Sequence, residues 1–365
     1  MIPASLYQTI YLTLVTILTL IVYNQYQRRN GLREFAPSRT DALVGVLVVF
    51  LIFFIGFRPV SGRYFVDMAN YALYYDTFYE GATFVFDWDV ENKIFDNLFA
   101  WWGSEWLGYT SFFVFVAAIY FGAAYLGLRK LFPNHRLTAF LVFLAAFSTF
   151  SYGTNGIKAG AASSLFILAM GYRENFKVSI PLILLSWGFH HSMIMVVAGF
   201  VLTLFVKNPK YYLYGWVVCF LLAAAHITIF AQFFSGFTTE HGAKYLMGSL
   251  VEKDGTKGGF RIDFILYSAM PVLVGWYAVF KKRMNLSPLY KDLLNLYVCL
   301  NGTWMLCMYA EFTNRIAYLS WFLYPIVLIY PFLQEPWGKS RYKFLGWVML
   351  AHLGFTLFMK FIYYG

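Results

Sequence analysis

Apolar residues in this chain do not alternate with polar ones. They come in unbroken blocks of about 15 to 20 residues, each closed by Arg, Lys, Asn, Pro or Gly. Ala42 to Phe57 (ALVGVLVVFLIFFIGF) is such a block, and as a helix it nearly covers the roughly 30 Å of bilayer hydrocarbon. The pattern predicts an all-α, polytopic integral membrane protein of about 12 transmembrane segments. These lie near 6–26, 42–57, 108–128, 137–153, 156–172, 178–190, 191–206, 212–233, 262–280, 292–310, 316–333 and 344–362. Residues 1–365 read as one membrane domain with two sizeable loops on one face, near 58–107 and 234–261.

Composition agrees with the pattern. Of 365 residues, 60% are hydrophobic and 13% charged, with a mean hydropathy of +0.59, well outside the range of soluble domains. The N-terminal MIPASLYQTI lacks a basic n-region and a small-residue cleavage site, so the first apolar run is expected to remain as a span. Cys219, Cys299 and Cys307 all lie in apolar segments and read as packing residues, with no disulfide framework. No Walker A glycines, no GxGxxG and no His/Cys cluster at zinc spacing occur, so neither metal nor cofactor is expected.

Charge sets the topology. With the N-terminus outside, 18 of the 28 Lys and Arg fall in cytoplasmic loops together with only five acids, which satisfies the positive-inside rule and implies no nucleic acid. Reading 178–206 as one span would reverse every later loop and nearly erase this bias. Two short segments with a break at Phe189 to Ser192 (FHHS) preserve it.

On this topology Arg58, Arg63, Lys158, Arg261 and Arg315 all sit at or just inside outer helix ends. Charges there are costly unless paired or functional. Local pairing is one reading: Arg63 with Asp67, Arg261 with Asp263 and Arg315 with Glu311. A shared anionic ligand is the other, because a guanidinium fork suits phosphate oxygens. His190 and His191 titrate near neutrality and are candidate bases, with Asp67, Glu91 and Glu311 as carboxylate alternatives. Tyr71, Tyr74, Tyr75, Tyr79, Trp88, Trp101, Trp102 and Trp106 suit either sugar stacking or an interfacial aromatic belt. Asp87-Trp88-Asp89 has a D-x-D form, but a metal is not expected there.

Several motifs recur in order over residues 57 to 322. They are Phe57-Arg58, Gly62, Asp67 and Tyr71; Glu91 in ENKIFDNLFAW; Asn155, Ile157, Lys158 and Ala162 in NGIKAGAASSLFILA; His190-His191-Ser192; Arg261 in FRIDFILYS; and Arg315 in NRIAYLSWF. This ordered set resembles the EpsG family, the Wzy-like polymerases of capsule, exopolysaccharide and O-antigen repeat units. Lys158 stands where that family more often has Arg, which keeps the charge and loses the fork.

The resemblance implies a GT-C-like membrane glycosyltransferase in a bacterial inner membrane, its active site facing the periplasm. Its substrates would be undecaprenyl-pyrophosphate-linked oligosaccharides, joined with release of undecaprenyl pyrophosphate. The lipid bilayer, a flippase and a chain-length regulator are the expected partners. Arg58, Lys158, Arg261 and Arg315 are the candidate pyrophosphate ligands, and Arg63, Tyr71, Asn155, Asp263 and Asn314 the candidate substrate-binding residues. The alternatives are a carrier for lipid-linked oligosaccharides, an O-antigen ligase-type transferase and an acyltransferase.

Overall fold

A computed structural model describes residues 2–28, 37–79, 83–105, 107–235, 259–310, 312–338 and 340–363. Among these the fold is entirely helical apart from one isolated bridge between Ser61 and Phe65. In chain order the helices are α1 (Tyr7–Arg28), α2 (Pro37–Gly56), α3 (Val66–Tyr79), α4 (Lys93–Ser104), α5 (Tyr109–Leu131), α6 (Arg136–Ala145), α7 (Thr149–Thr154), α8 (Ile157–Gly171) and α9 (Phe176–Phe189). Then follow α10 (Met193–Phe205), α11 (Pro209–Ala224), α12 (Ile229–Ser235), α13 (Ile262–Lys281), α14 (Pro288–Leu306), α15 (Thr313–Gln334) and α16 (Arg341–Tyr363).

Five helices among the described residues are long and apolar enough to cross a membrane: Ala4–Arg28, which contains α1, together with α5, α13, α15 and α16. Shorter apolar helices accompany them, including most of α2 (Ala42–Gly56) and all of α6, α8, α9 and α10. Every predicted segment is helical, with differences of detail. Residues 58–107, expected as a loop, contain α3 and α4. The segments 137–153 and 212–233 are each interrupted, at residues 146–148 and 225–228, where Ala146 is extended and His226 takes a left-handed φ of 57°. Most of the second outer loop, residues 236–258, lies outside the described residues.

Helix starts follow local chemistry. Before α11 the Asn208 side chain accepts from Lys210 N–H with Pro209 next, and before α14 the Ser287 hydroxyl accepts from Tyr290 N–H with Pro288 next.

The break after α6 poses a sharper problem, because it orphans the last carbonyls of a buried helix. Side chains satisfy four of them in turn. His352 Nε2 donates to Val142 O at 3.0 Å, Thr149 Oγ1 to Phe143 O at 2.6 Å, Tyr11 OH to Leu144 O at 2.7 Å and Thr356 Oγ1 to Ala145 O at 2.8 Å. Thus α1, α7 and α16 are tied to α6 by the hydrogen bonds the break demands.

The chain forms two compact units, residues Met1–Ile194 with Phe332–Gly365, and Met195–Pro331. The second has its own buried polar links: Tyr297 OH to Ser268 O at 2.8 Å, Trp321 Nε1 to Ser268 Oγ at 2.7 Å and Trp304 Nε1 to Thr313 Oγ1 at 2.9 Å.

Candidate functional site

In the first unit a chain of polar groups forms where α4 begins, beside the starts of α8 and α10. Asn92 precedes α4 and is 6% exposed. Asp96, one turn into the helix, accepts on Oδ2 from Asn92 N–H at 3.2 Å and from Asn92 Nδ2 at 3.1 Å. This anchors the first turn, whose backbone N–H groups have no partner within the helix. The loop leading in is braced by Asn97, which donates to Asp87 O and accepts from Asp87 N–H, at 2.8 and 2.7 Å. Asp87 in turn accepts from Asp89 N–H at 2.7 Å, so the D-x-D stretch forms an Asx turn.

The other carboxylate oxygen of Asp96 meets Lys158 Nζ at 2.5 Å. Lys158 comes from the first turn of α8, and its ammonium also lies 5.5 Å from the Tyr71 ring centroid and 5.2 Å from that of Phe95. Both charged side chains keep about a quarter of their surface open, 24% and 23%. The pair is therefore accessible yet framed by aromatic walls, an environment that strengthens charge interactions.

On the far side of Asn92 stands His191. The helix α9 stops at Phe189 and α10 begins at Met193, leaving the two histidines in the break. Asn92 Oδ1 accepts from His191 N–H at 3.0 Å and lies 3.3 Å from His191 Nδ1; Glu91 Oε2 lies 3.7 Å from the same nitrogen. Burial lowers the His191 pKa, opposed by the Glu91 charge, assisted by Lys158 and opposed again by Asp96. His190 turns to Ser192, with Nδ1 and Oγ 2.5 Å apart, and its ring stacks on that of His191 at 5.1 Å.

Arg58 occupies a different setting. It is 2% exposed, donates from Nη1 to Ile55 O at 2.7 Å and from Nη2 to Thr154 O at 2.8 Å, and lies over Phe113 and Phe65 at 5.0 and 5.7 Å. The guanidinium expected to face a pyrophosphate is thus committed to two carbonyls, and it ties the end of α2 to the segment that leads into Lys158. Burial brings its pKa down to about 9, so it stays protonated at neutral pH.

Asn155 lies between α7 and α8, where its backbone N–H bonds Ser151 O and its carbonyl accepts from Ile157 N–H, both at 2.7 Å. Asp67 is in the first turn of α3, and Arg63 is exposed with its guanidinium 5.5 Å from the Tyr64 ring. Tyr71 packs on Phe95, Phe99 and Phe113, and Tyr75 is buried with its hydroxyl accepting from Gly108 N–H at 2.7 Å. Of the candidate aromatics Tyr74, Trp88 and Trp101 are exposed, whereas Trp106 and the side chain of Tyr79 lie outside the described residues.

In the second unit Arg261 precedes α13 and makes the local pair: Nε to Asp263 Oδ1 at 2.9 Å and Nη2 to Oδ2 at 2.6 Å, over the Phe264 ring at 3.7 Å. Arg315, in the first turn of α15, is exposed and lies 4.8 Å from the Phe312 ring; Asn314 beside it is also exposed. Glu311 lies outside the described residues.

Asn92 and Asp96 were not singled out by the motif pattern, although both lie in ENKIFDNLFAW. Their four-residue spacing places them on one helix face, and Asp96 interrupts an apolar run. Among the described residues no group of three or more His, Cys, Asp or Glu is placed to hold a metal ion.

No curated protein and no solved structure matches the chain. Its sequence does match the profile of the EpsG family over residues 41–364, a stretch that includes Arg58, Glu91, Lys158, His191, Arg261 and Arg315. That is nearly the whole length, and the chain belongs to the EpsG family.

Proposed function

We propose that this protein is a membrane glycosyltransferase that joins undecaprenyl-pyrophosphate-linked oligosaccharide repeats on the periplasmic face of a bacterial inner membrane, in a GT-C-like fold of about 12 spans. Membership of the EpsG family suggests a role in polysaccharide polymerisation. One observation carries the chemistry: a histidine with an acceptor at one ring nitrogen and a partly exposed lysine are linked through Asn92 and Asp96 in an otherwise apolar helical body.

In this reading the acceptor sugar hydroxyl attacks the anomeric carbon of the growing chain. A histidine takes the hydroxyl proton as the new carbon–oxygen bond forms. The bond from that carbon to the pyrophosphate oxygen breaks, and its electron pair leaves with undecaprenyl pyrophosphate. Lys158 stabilises the charge that grows on the leaving oxygen. Asp96 holds the ammonium in place before the anion arrives, and the neighbouring Tyr71 ring supports it.

The test uses purified protein in lipid nanodiscs with a defined lipid-linked repeat, and reads products on a gel. A ladder that Lys158→Met abolishes while the protein stays folded supports the proposal. Transbilayer movement of the lipid in vesicles with no ladder would replace it with the carrier reading. Transfer of a single repeat to a different acceptor would replace it with the ligase reading.

A further inference from the structure

We propose that Asn92 is a positioning residue that fixes His191 as the Nδ1–H tautomer, so that Nε2 is the atom that accepts the proton, and that sets Asp96 and Lys158 from the same side chain. The inference rests on the polymerase reading for its chemical meaning. Its structural content is independent of that reading.

The atoms in reach decide the tautomer. Asn92 can orient its amide in only one sense, because Nδ2 faces the Asp96 carboxylate at 3.1 Å and a carboxylate accepts only. That leaves Oδ1 for His191, where it already accepts the backbone N–H at 3.0 Å. The His191 ring nitrogen nearest to it is Nδ1, at 3.3 Å, and the Glu91 carboxylate adds negative charge on the same side with Oε2 at 3.7 Å. An amide oxygen already fixed as an acceptor, with a carboxylate behind it, places the proton on that nitrogen. Nε2 then keeps its lone pair, and the side chain that carries it is 31% exposed.

Asn92 also explains why a single turn holds both functional groups. Its backbone N–H and its Nδ2 both bond Asp96 Oδ2, leaving Oδ1 to Lys158. Any shift of Asn92 moves the base and the cation together. In the reaction, Nε2 gains the hydroxyl proton while Nδ1 keeps its own, so the imidazolium that forms has Asn92 Oδ1 and the Glu91 carboxylate against its Nδ1–H.

The experiment reads imidazole 15N shifts of full-length protein labelled with 15N-histidine in nanodiscs at pH 8. The chain has six histidines, so a His191→Asn difference spectrum isolates the signal. Wild type is expected to show a protonated Nδ1 and an unprotonated Nε2. Asn92→Asp keeps an acceptor oxygen for His191 and adds charge, so the tautomer is expected to persist while the titration midpoint of His191 moves up, and the ladder rate is expected to fall because a second carboxylate replaces the Nδ2 donor that faces Asp96. Asn92→Ala is expected to give a tautomer mixture and a ladder rate roughly tenfold to a hundredfold lower. An Nε2–H tautomer in wild type, or an unchanged tautomer ratio in folded Asn92→Ala, would overturn the proposal. If Asn92→Ala does not fold, the wild-type spectrum and the Asn92→Asp shift still decide. The expected spectra without any ladder from wild-type protein would remove the polymerase reading and leave the positioning role standing.

Discussion

Lys158 Nζ and Asp96 Oδ1 lie 2.5 Å apart and join the first turn of α8 to the first turn of α4. Neither charge sits at its helix by chance of composition. Asp96 complements the positive end of α4, whereas Lys158 stands at the positive end of α8, where a cation is disfavoured. A cation in that position requires either a carboxylate or an anionic ligand beside it, and the partly exposed pair can exchange one for the other.

That exchange predicts an ordered series. Lys158→Met is expected to lower the ladder-forming rate by about 10²- to 10³-fold, the usual cost of removing a group that stabilises a leaving anion. Lys158→Arg keeps the charge and is expected to stay within about tenfold of wild type. Asp96→Asn keeps a hydrogen-bonding shape but releases the ammonium, and is expected to fall between them. Initial rates with a defined lipid-linked repeat check the order, and a Lys158→Met protein as fast as wild type would sink the assignment.

The pH profile follows from the charges around His191. Burial and Lys158 hold its pKa below the ordinary 6.5, while Glu91 and Asp96 pull the other way. A base must be neutral, so activity is expected to be full at pH 7 to 8 and to fall on an acid limb below about pH 6.5. Glu91→Gln removes a charge that favours the imidazolium and should move that limb to lower pH. Lys158→Met removes a charge that opposes it and should move the limb to higher pH in whatever activity remains. Stability changes with the same sign: the folded state prefers the neutral ring, so the stabilisation is present above the unfolded value and is lost as pH falls through the folded one. Rate against pH for the three proteins checks the signs, and a limb that ignores both substitutions would exclude His191 as the base.

The all-helical class and each apolar segment were legible in the sequence, because lipid allows few alternatives to helices for long apolar runs. The break at His190 was legible too, since a single span across it would have scattered the basic loops. What could not be read is where a helix stops inside an apolar run. Little in RLTAFLVFLAAFSTF announces the break at Ala146, because three of the four side chains that satisfy the freed carbonyls, Tyr11, His352 and Thr356, are distant in sequence and only Thr149 is local. The site was half legible for a similar reason. Glu91, Lys158 and His191 are charged or titratable residues in unusual places, and such residues draw attention. Asn92 is a neutral amide whose importance appears only once Asp96 and His191 flank it. Arg58 draws the same attention as Lys158, yet its partners are two carbonyls that no pattern of side chains reveals.

Arg58 yields a prediction about stability rather than chemistry. Each charge-assisted hydrogen bond from a buried guanidinium contributes about 1.5 to 3 kcal/mol, and its loss leaves the Ile55 and Thr154 carbonyls without that donor. Arg58→Ala is expected to cost about 3 kcal/mol and to lower the thermal midpoint in detergent by several degrees. Arg58→Lys should recover less than half of this, since one ammonium on a flexible stem cannot span the two carbonyls in the same geometry. A midpoint unchanged in Arg58→Ala would show that the clamp carries no weight and would return the residue to the candidate ligands.

The placement of Lys158 depends on the close approach of α8 to the end of α7, and Gly160 marks where it is closest. A Cβ built there would lie 2.3 Å from Tyr152 O and 3.3 Å from the Tyr120 ring, and the nearer atom is backbone that cannot rotate away. Gly160→Ala must therefore push the start of α8 outward and carry Lys158, two residues earlier, away from Asp96. Overpacking of this kind costs about 1 to 3 kcal/mol, while a displacement near 1 Å at a reacting group costs about a hundredfold in rate. The rate loss is thus expected to exceed what partial unfolding explains, and it should appear in protein that is still folded at the assay temperature. Gly45→Ala is the control: its Cβ would meet nothing within 4 Å, and alanine favours a helix interior, so neither stability nor rate should fall. Rates of both variants normalised to folded protein check the contrast, and a fully active Gly160→Ala protein would mean that the position of Lys158 does not matter to the reaction.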